Sequence, residues 1–263
     1  MNGLKDFLQR KFPRPYGALQ TARYKYALQH AFAQLTADHG LVVQGGPFKG
    51  MKYVPQIATP ARLIGDALLP KLVGCYEAEL HGTLATLPQA KYTRIVNIGC
   101  AEGYYAVGLA LRDPGVVVFA FDTLPRERQF CAEMATANGV ADQVRIGAEC
   151  TVEALNSLAS DQTLIICDCE GCELALLDPV RAPGLSRSDV LVELHDCVNP
   201  TISKRVPERF AATHEITHIQ RSPRDLGTYG ALSTMTPYRQ RLSASEFRWG
   251  PISWAFMRSK VRA

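Results

Sequence analysis

Five short apolar runs constrain what this chain can fold into more than any other feature of the sequence. They lie at Arg94–Ile98, Val116–Phe121, Val144–Ile146, Leu164–Cys167 and Val190–Leu194, each bounded by turn residues, with helix-like segments between them. Runs of that length without polar alternation suit strands buried on both faces of a parallel sheet. Their alternation with helices predicts a doubly wound α/β sheet. The clearest helix starts at Pro125, a good first helical residue, and ends at Asn138-Gly139. Two further strand candidates, Glu215–Ile219 and Ile252–Met257, bring the count to seven. The segment between them, Arg221 to Gly250, is long and weakly patterned, as a lid over a substrate often is.

The first 90 residues read differently. Pro13, Pro15 and Gly17 break the opening segment, and helical spacing runs from Ala18 to His39 with Gly40 placed to end it. An extended excursion with tight turns follows through Leu41-Val42-Val43 and Gly50-Met51-Lys52-Tyr53. Pro60 to Leu87 supports two helical pieces split near Pro70 and closed by Pro88. The expected organisation is a mainly helical segment over 1–90 that contributes to an acceptor pocket, and a ligand-binding domain over 91–263.

A hydrophobic share of 47% and a charged share of 21% leave enough apolar material for a real core and exclude a disordered chain. No apolar run approaches the roughly 20 residues of a membrane span, and the basic N-terminus lacks the apolar core of a secretory signal. The expected location is therefore cytoplasmic. Cys100, Cys131, Cys167 and Cys197 fall in or beside core elements, which predicts that the cysteines are reduced thiols. The net charge of +4 is concentrated at the two ends. Without basic runs interleaved with aromatics, this reads as solvated surface and not as a nucleic-acid interface.

The segment from Val96 to Tyr105 leaves an apolar strand, turns through Gly99 and Gly103, and enters a helix. In an open parallel sheet such a turn floors the ligand crevice, with Gly103 giving a ligand close access. A dinucleotide fold wants a third glycine here, and Glu102 would repel a pyrophosphate but suits a cationic ligand. Asp122 ends the second strand, 23 positions past Gly99, where an acid accepts hydrogen bonds from both hydroxyls of an adenosine ribose. Capping of the following helix is the bland alternative. Thr123 stands beside Asp122, and Glu149 falls where an adenine ring would be edged.

These residues resemble the class I S-adenosylmethionine-dependent methyltransferases, and within them the FkbM-type family. Besides the glycine turn, the match rests on Asp168, Glu170, Gly171 and Glu173 in a D-x-E-G-x-E pattern and on Glu193 and His195 in an E-x-H pattern. It covers about residues 90–200. The resemblance implies a seven-stranded, mostly parallel, Rossmann-like methyltransferase fold. It also implies methyl transfer from S-adenosylmethionine to a hydroxyl of a sugar or small-molecule metabolite. Cofactor contacts are then expected from Asn97, Gly99, Cys100, Ala101, Glu102, Gly103, Asp122, Thr123, Glu149 and Asp168. Asn97 departs from the family, which usually carries an acid at that position, and Glu102 is the residue placed to compensate.

A hydroxyl is a poor nucleophile until it loses its proton, so a base is useful. His195 is the first candidate, with Asp168 or Glu170 orienting the ring or the acceptor. Asp168, Glu170, His195 and Asp196 also make a set that suits a hard divalent ion, although the expected chemistry does not require one. The Cys167, Cys169, Cys172 spacing is unusual for zinc. The expected partner is a small-molecule or glycan acceptor, with no nucleic acid and no membrane span; a homo-oligomer is left open. The competing readings are a nicotinamide-dependent oxidoreductase and a noncatalytic nucleotide- or nucleic-acid-binding protein.

Overall fold

The computed structural model describes residues 13–87, 91–248 and 250–261. Its centre is a seven-stranded sheet in the order β3-β2-β1-β4-β5-β7-β6. The strands are β1 (Arg94–Ile98), β2 (Val117–Phe121), β3 (Val144–Gly147), β4 (Thr163–Cys167), β5 (Asp189–Leu194), β6 (His214–Ile219) and β7 (Ser253–Ser259). The first five are parallel, and β7 runs antiparallel to both β5 and β6. The doubly wound, mostly parallel architecture expected from the apolar runs is the one observed.

Register sets the site. Ile98 is paired with Phe121 on one side and Cys167 on the other, and Cys167 is paired in turn with Val192. The next residue on each strand, namely Gly99, Asp122, Asp168 and Glu193, therefore reaches one rim at the carboxyl edge. Chain order reverses between β1 and β4, so this rim is the switch-point crevice of an open α/β sheet.

Side-chain alternation divides the core into two layers. Leu164, Ile166 and Leu191 join one apolar cluster, while Ile165, Cys167, Val190 and Val192 join the other. The first cluster also takes Leu28, Leu35, Phe48, Leu69 and Leu72 from the N-terminal segment, together with Tyr104 and Tyr105 from the helix that follows β1. Residues from both sides of position 90 thus share one apolar layer, which holds the N-terminal segment against the sheet and above the rim.

Several boundaries differ from the sequence reading. The first helix, α1, runs Pro13–His39, so Pro15 and Gly17 lie within it and do not precede it. The first helical turn has no amide partners to lose, which is why prolines are tolerated there. Pro70 likewise sits in the first turn of α3 (Leu68–Val73) and splits nothing. The break falls between α2 (Arg62–Gly65) and α3, at Ala67 with a left-handed φ of 50°, and α4 (His81–Thr86) follows. Pro88 lies outside the described residues. The weakly patterned segment after β6 carries two 3-10 turns and a helix, Pro237–Ser243. No described helix is long and apolar enough to cross a membrane.

Candidate active site

The turn after β1 carries two glycines for reasons of packing. Gly99 has φ +75°, and a Cβ there would come 1.6 Å from the Asp168 carbonyl oxygen, so glycine lets the end of β4 lie against the turn. Gly103, with φ +96°, leads into α5 (Tyr104–Arg112). A Cβ on Gly103 would meet Cys131 Sγ at 2.9 Å, on α6 (Pro125–Ala137), so glycine there admits a neighbouring helix.

Two cavities open beside this turn. One, of about 370 Å³, is lined by Gly99, Asp122, Thr123, Ala148, Glu149 and Cys150, with Cys169, Glu170 and Cys172 closing one side. The other, of about 380 Å³, is lined by Ala101, Glu102, Asp168, Glu170, Glu193 and His195 from the rim, and by Lys71, Tyr76, Glu246, Phe247 and Arg248 from above. Glu170 belongs to both, so the cavities meet at the loop after β4.

Of the expected cofactor residues, Gly99, Asp122, Thr123 and Glu149 stand in the first cavity, and Ala101, Glu102 and Asp168 in the second. Asn97, Cys100 and Gly103 line neither. Asn97 is 1% exposed, and neither its Oδ1 nor its Nδ2 has a hydrogen-bond partner among the described residues. Asp122 accepts from the Ala101 amide at 2.9 Å and from the Leu124 amide at 2.8 Å, tying the glycine turn to the start of α6. It does not cap that helix, whose N-cap is Leu124. A carboxylate has about four lone-pair sites, so two remain for a ligand.

Glu102 is occupied already. Its Oε1 accepts from Lys71 Nζ at 2.6 Å and from the Tyr53 hydroxyl at 3.0 Å. Burial would raise its pKa, but the Lys71 charge and hydrogen bond outweigh that and lower it. The carboxylate is thus an ion-pair partner of α3 through Oε1, while Oε2 has no hydrogen-bond partner among the described residues.

His195 is 1% exposed and surrounded by acids. Its Nδ1 faces Glu173 Oε1 at 2.6 Å. Its Nε2 faces Glu193 at 3.2 Å, Glu170 at 3.4 Å and Asp168 at 3.5 Å. Burial alone would depress its pKa, but the hydrogen bonds to Glu173 and Glu193 and the charges of Glu193 and Asp168 raise it to about 11. These contacts favour the imidazolium, a form that neither takes a proton nor binds a metal at Nε2 until it gives that proton up. The Asp168 carboxyl is raised as well: burial and the adjoining Glu193 hold it well above the usual carboxylate range.

Asp168, Glu193 and His195 each offer one ligand atom, all within 4.8 Å of one another. The donor set fits a divalent ion, and Glu173 on the far ring nitrogen orients the imidazole as a carboxylate does behind a metal-bound histidine. The set differs from the one read in the sequence. Asp196 instead accepts from the Ser203 amide at 2.8 Å and from its hydroxyl at 2.5 Å, holding the start of the helix Ile202–Phe210, and Glu193 takes its place.

Sequence reasoning gave Glu193 no role and missed the roof. Arg248 Nη1 donates to Glu193 Oε1 at 2.5 Å, its Nη2 pairs with Glu77, and its Nε lies 3.0 Å from Glu246 Oε2. Glu77 also accepts from the Tyr105 hydroxyl, and burial lifts its pKa to about 7 against the pull of Arg248. Nothing local to Glu77 or Arg248 signals this network; only the fold brings them together.

The cysteine expectation needs one correction. Cys169 and Cys172 are joined by a disulfide, with Cα atoms 5.5 Å apart across the turn that leads into the short helix Glu173–Leu176. The other six cysteines are free.

No protein-family model matches the chain, and no curated protein matches it. Among solved structures it is similar to the METTL16 MTase domain, at 12% identity over 90% of this chain and 80% of that one, with a TM-score of 0.49. It is similar to the O-methyltransferase TomG from Streptomyces achromogenes at 15% identity, covering 89% and 90% of the two chains with a TM-score of 0.44. A third is geranyl diphosphate C-methyltransferase from Streptomyces coelicolor A3(2), at 15% identity, 71% and 79% coverage, and a TM-score of 0.44.

Proposed function

We propose that this protein is an S-adenosylmethionine-dependent methyltransferase acting on a hydroxyl of a small molecule or glycan. The observation that carries this is the pair of cavities meeting beside the Gly99–Gly103 turn, one edged by Asp122 and Glu149, the other walled by acids. Adenosine suits the first, with Asp122 accepting from the ribose. The sulfonium then points toward Asp168, Glu170 and Glu193, where a positive centre is favoured and a pyrophosphate would be repelled. That charge pattern disfavours the dinucleotide alternative.

Methyl transfer passes a methyl group from sulfur to the acceptor oxygen and leaves a neutral thioether, while the hydroxyl proton must go elsewhere. Asp168 is the proposed acceptor of that proton, because a carboxylate with raised proton affinity is the better base near neutral pH. His195 supplies a fixed positive charge that keeps the acids in place, and alignment of the reactants does most of the work. The D-x-E-G-x-E and E-x-H residues support the FkbM-type assignment and with it the oxygen acceptor.

Thermal unfolding tests the cofactor. S-adenosylhomocysteine at 100 times its Kd should stabilise the fold by about 2.7 kcal/mol, while nicotinamide dinucleotides and oligonucleotides leave it unchanged. A folded protein indifferent to S-adenosylhomocysteine ends this assignment.

The ligand geometry of Asp168, Glu193 and His195 favours a second reading, in which a divalent cation held there lowers the pKa of the acceptor hydroxyl. Chelation decides between the two. If the cation is used, turnover falls at least ~10-fold in chelator and returns with magnesium or manganese, as expected for loss of a charge-stabilising ion; undiminished turnover in chelator leaves Asp168 as the base.

A further inference from the structure

The cysteine pattern after β4 is not used by the proposed chemistry, yet it frames the loop on which that chemistry depends. Asp168 and Glu170 face the acid cavity, Cys169 and Cys172 line the other, and Glu173 holds His195. Glu170 adopts a left-handed φ of 54°, unfavourable for a residue with a side chain, and its carboxylate is 81% exposed with His195 as its neighbour at 3.4 Å. Cys169 packs on the core and Gly171 lies against Val198, so Glu170 is the exposed tip of a turn that the Cys169–Cys172 bridge spans. Closing so few residues adds little to global stability, and with six other cysteines free the chain is no disulfide framework. Both bridged residues are partly exposed at the cavity wall, where a reductant can reach them.

We infer that the Cys169–Cys172 bridge is a reversible latch: a dithiol reductant opens it, frees the turn carrying Glu170, and weakens the cofactor cavity it lines. A thiolate of the reductant attacks Cys172 Sγ, the sulfur–sulfur bond breaks, and Cys169 leaves as a thiolate that takes up a proton. The second thiol of the reductant then displaces Cys172, so two electrons pass to the protein and the reductant ends as its own disulfide. A third sulfur, Cys167 Sγ, lies 3.6 Å from Cys169 Sγ.

The effect on affinity rests on the cofactor reading; the effect on the turn does not. The test uses the full chain, oxidised or reduced with dithiothreitol, and follows hydrogen exchange of amides 169–173 together with the Kd for S-adenosylhomocysteine. Reduction should speed exchange there at least ~10-fold, as expected for a turn released to open locally, and raise the Kd at least ~5-fold, because a loosened site must be reordered on binding. The Cys169→Ser/Cys172→Ser variant should show the reduced values under oxidising conditions and ignore the reductant. Equal exchange in both states overturns the latch. Faster exchange with an unchanged Kd overturns its coupling to the cavity. Faster exchange with no binding in either state upholds the latch and defeats the cofactor reading instead.

Discussion

Replacing His195 by alanine should cost about 3–5 kcal/mol of folding stability, the usual cost of removing one partner from a buried ion pair. For a chain of this size that is a fall in Tm on the order of 10 °C. The cause is not lost packing. Four carboxylates, those of Asp168, Glu170, Glu173 and Glu193, lie within 3.5 Å of the imidazole nitrogens, and without the ring they face one another. The pH dependence follows from the direction of the shift. The folded-state pKa of about 11 lies above the ordinary imidazole value of 6.5, so the stabilisation is fully present below pH 6.5 and is lost as pH rises through about 11. The difference between wild type and variant in urea unfolding should therefore be large at pH 7 and much smaller at pH 10. Adding Glu173→Gln to the variant removes one uncompensated charge and should recover part of the loss. A variant that unfolds like wild type at pH 7 would show that His195 is neutral in the folded protein and restore it as a candidate base.

Asp122→Ala should weaken S-adenosylhomocysteine by about 3 kcal/mol, roughly 100-fold in Kd, if the carboxylate accepts from both ribose hydroxyls at about 1.5 kcal/mol or more each. The same carboxylate holds the Ala101 and Leu124 amides, so the variant also loses about 2 kcal/mol of stability, near 1 kcal/mol for each hydrogen bond. Asp122→Asn divides the effects. Ala101 and Leu124 donate to different carboxylate oxygens, so the single amide oxygen keeps one backbone hydrogen bond and the NH2 loses the other; stability should fall by about 1 kcal/mol and affinity by about 10-fold, one charge-assisted increment. Calorimetric titration of both variants reads this directly. An unchanged Kd in Asp122→Ala would reduce the residue to a turn-holding role.

The legibility of the site followed the range of the interactions involved. Asp122, Asp168 and His195 could be placed at one rim because each follows a strand of a parallel sheet, and strand ends are local properties. The roles of Glu102 and His195 could not be read in the same way. Lys71 pairs with Glu102 from 31 positions away, and Glu173 and Glu193 favour the charged form of His195 through contacts that depend on how the helix Glu173–Leu176 and β5 meet. Gly103 was legible as a glycine, but not as the place where Cys131 of α6 comes close.

By itself, then, the amino-acid sequence determined the strand–helix rhythm, the glycine turn after β1, and which acids would sit at strand ends, since hydrophobic period and turn chemistry act over a few residues. Only the tertiary structure decided which charges are spent on one another. Arg248 and Glu77, 171 positions apart, roof the acid cavity. Charge pairing depends on distances in space and on burial, and neither is encoded at the position of any one residue.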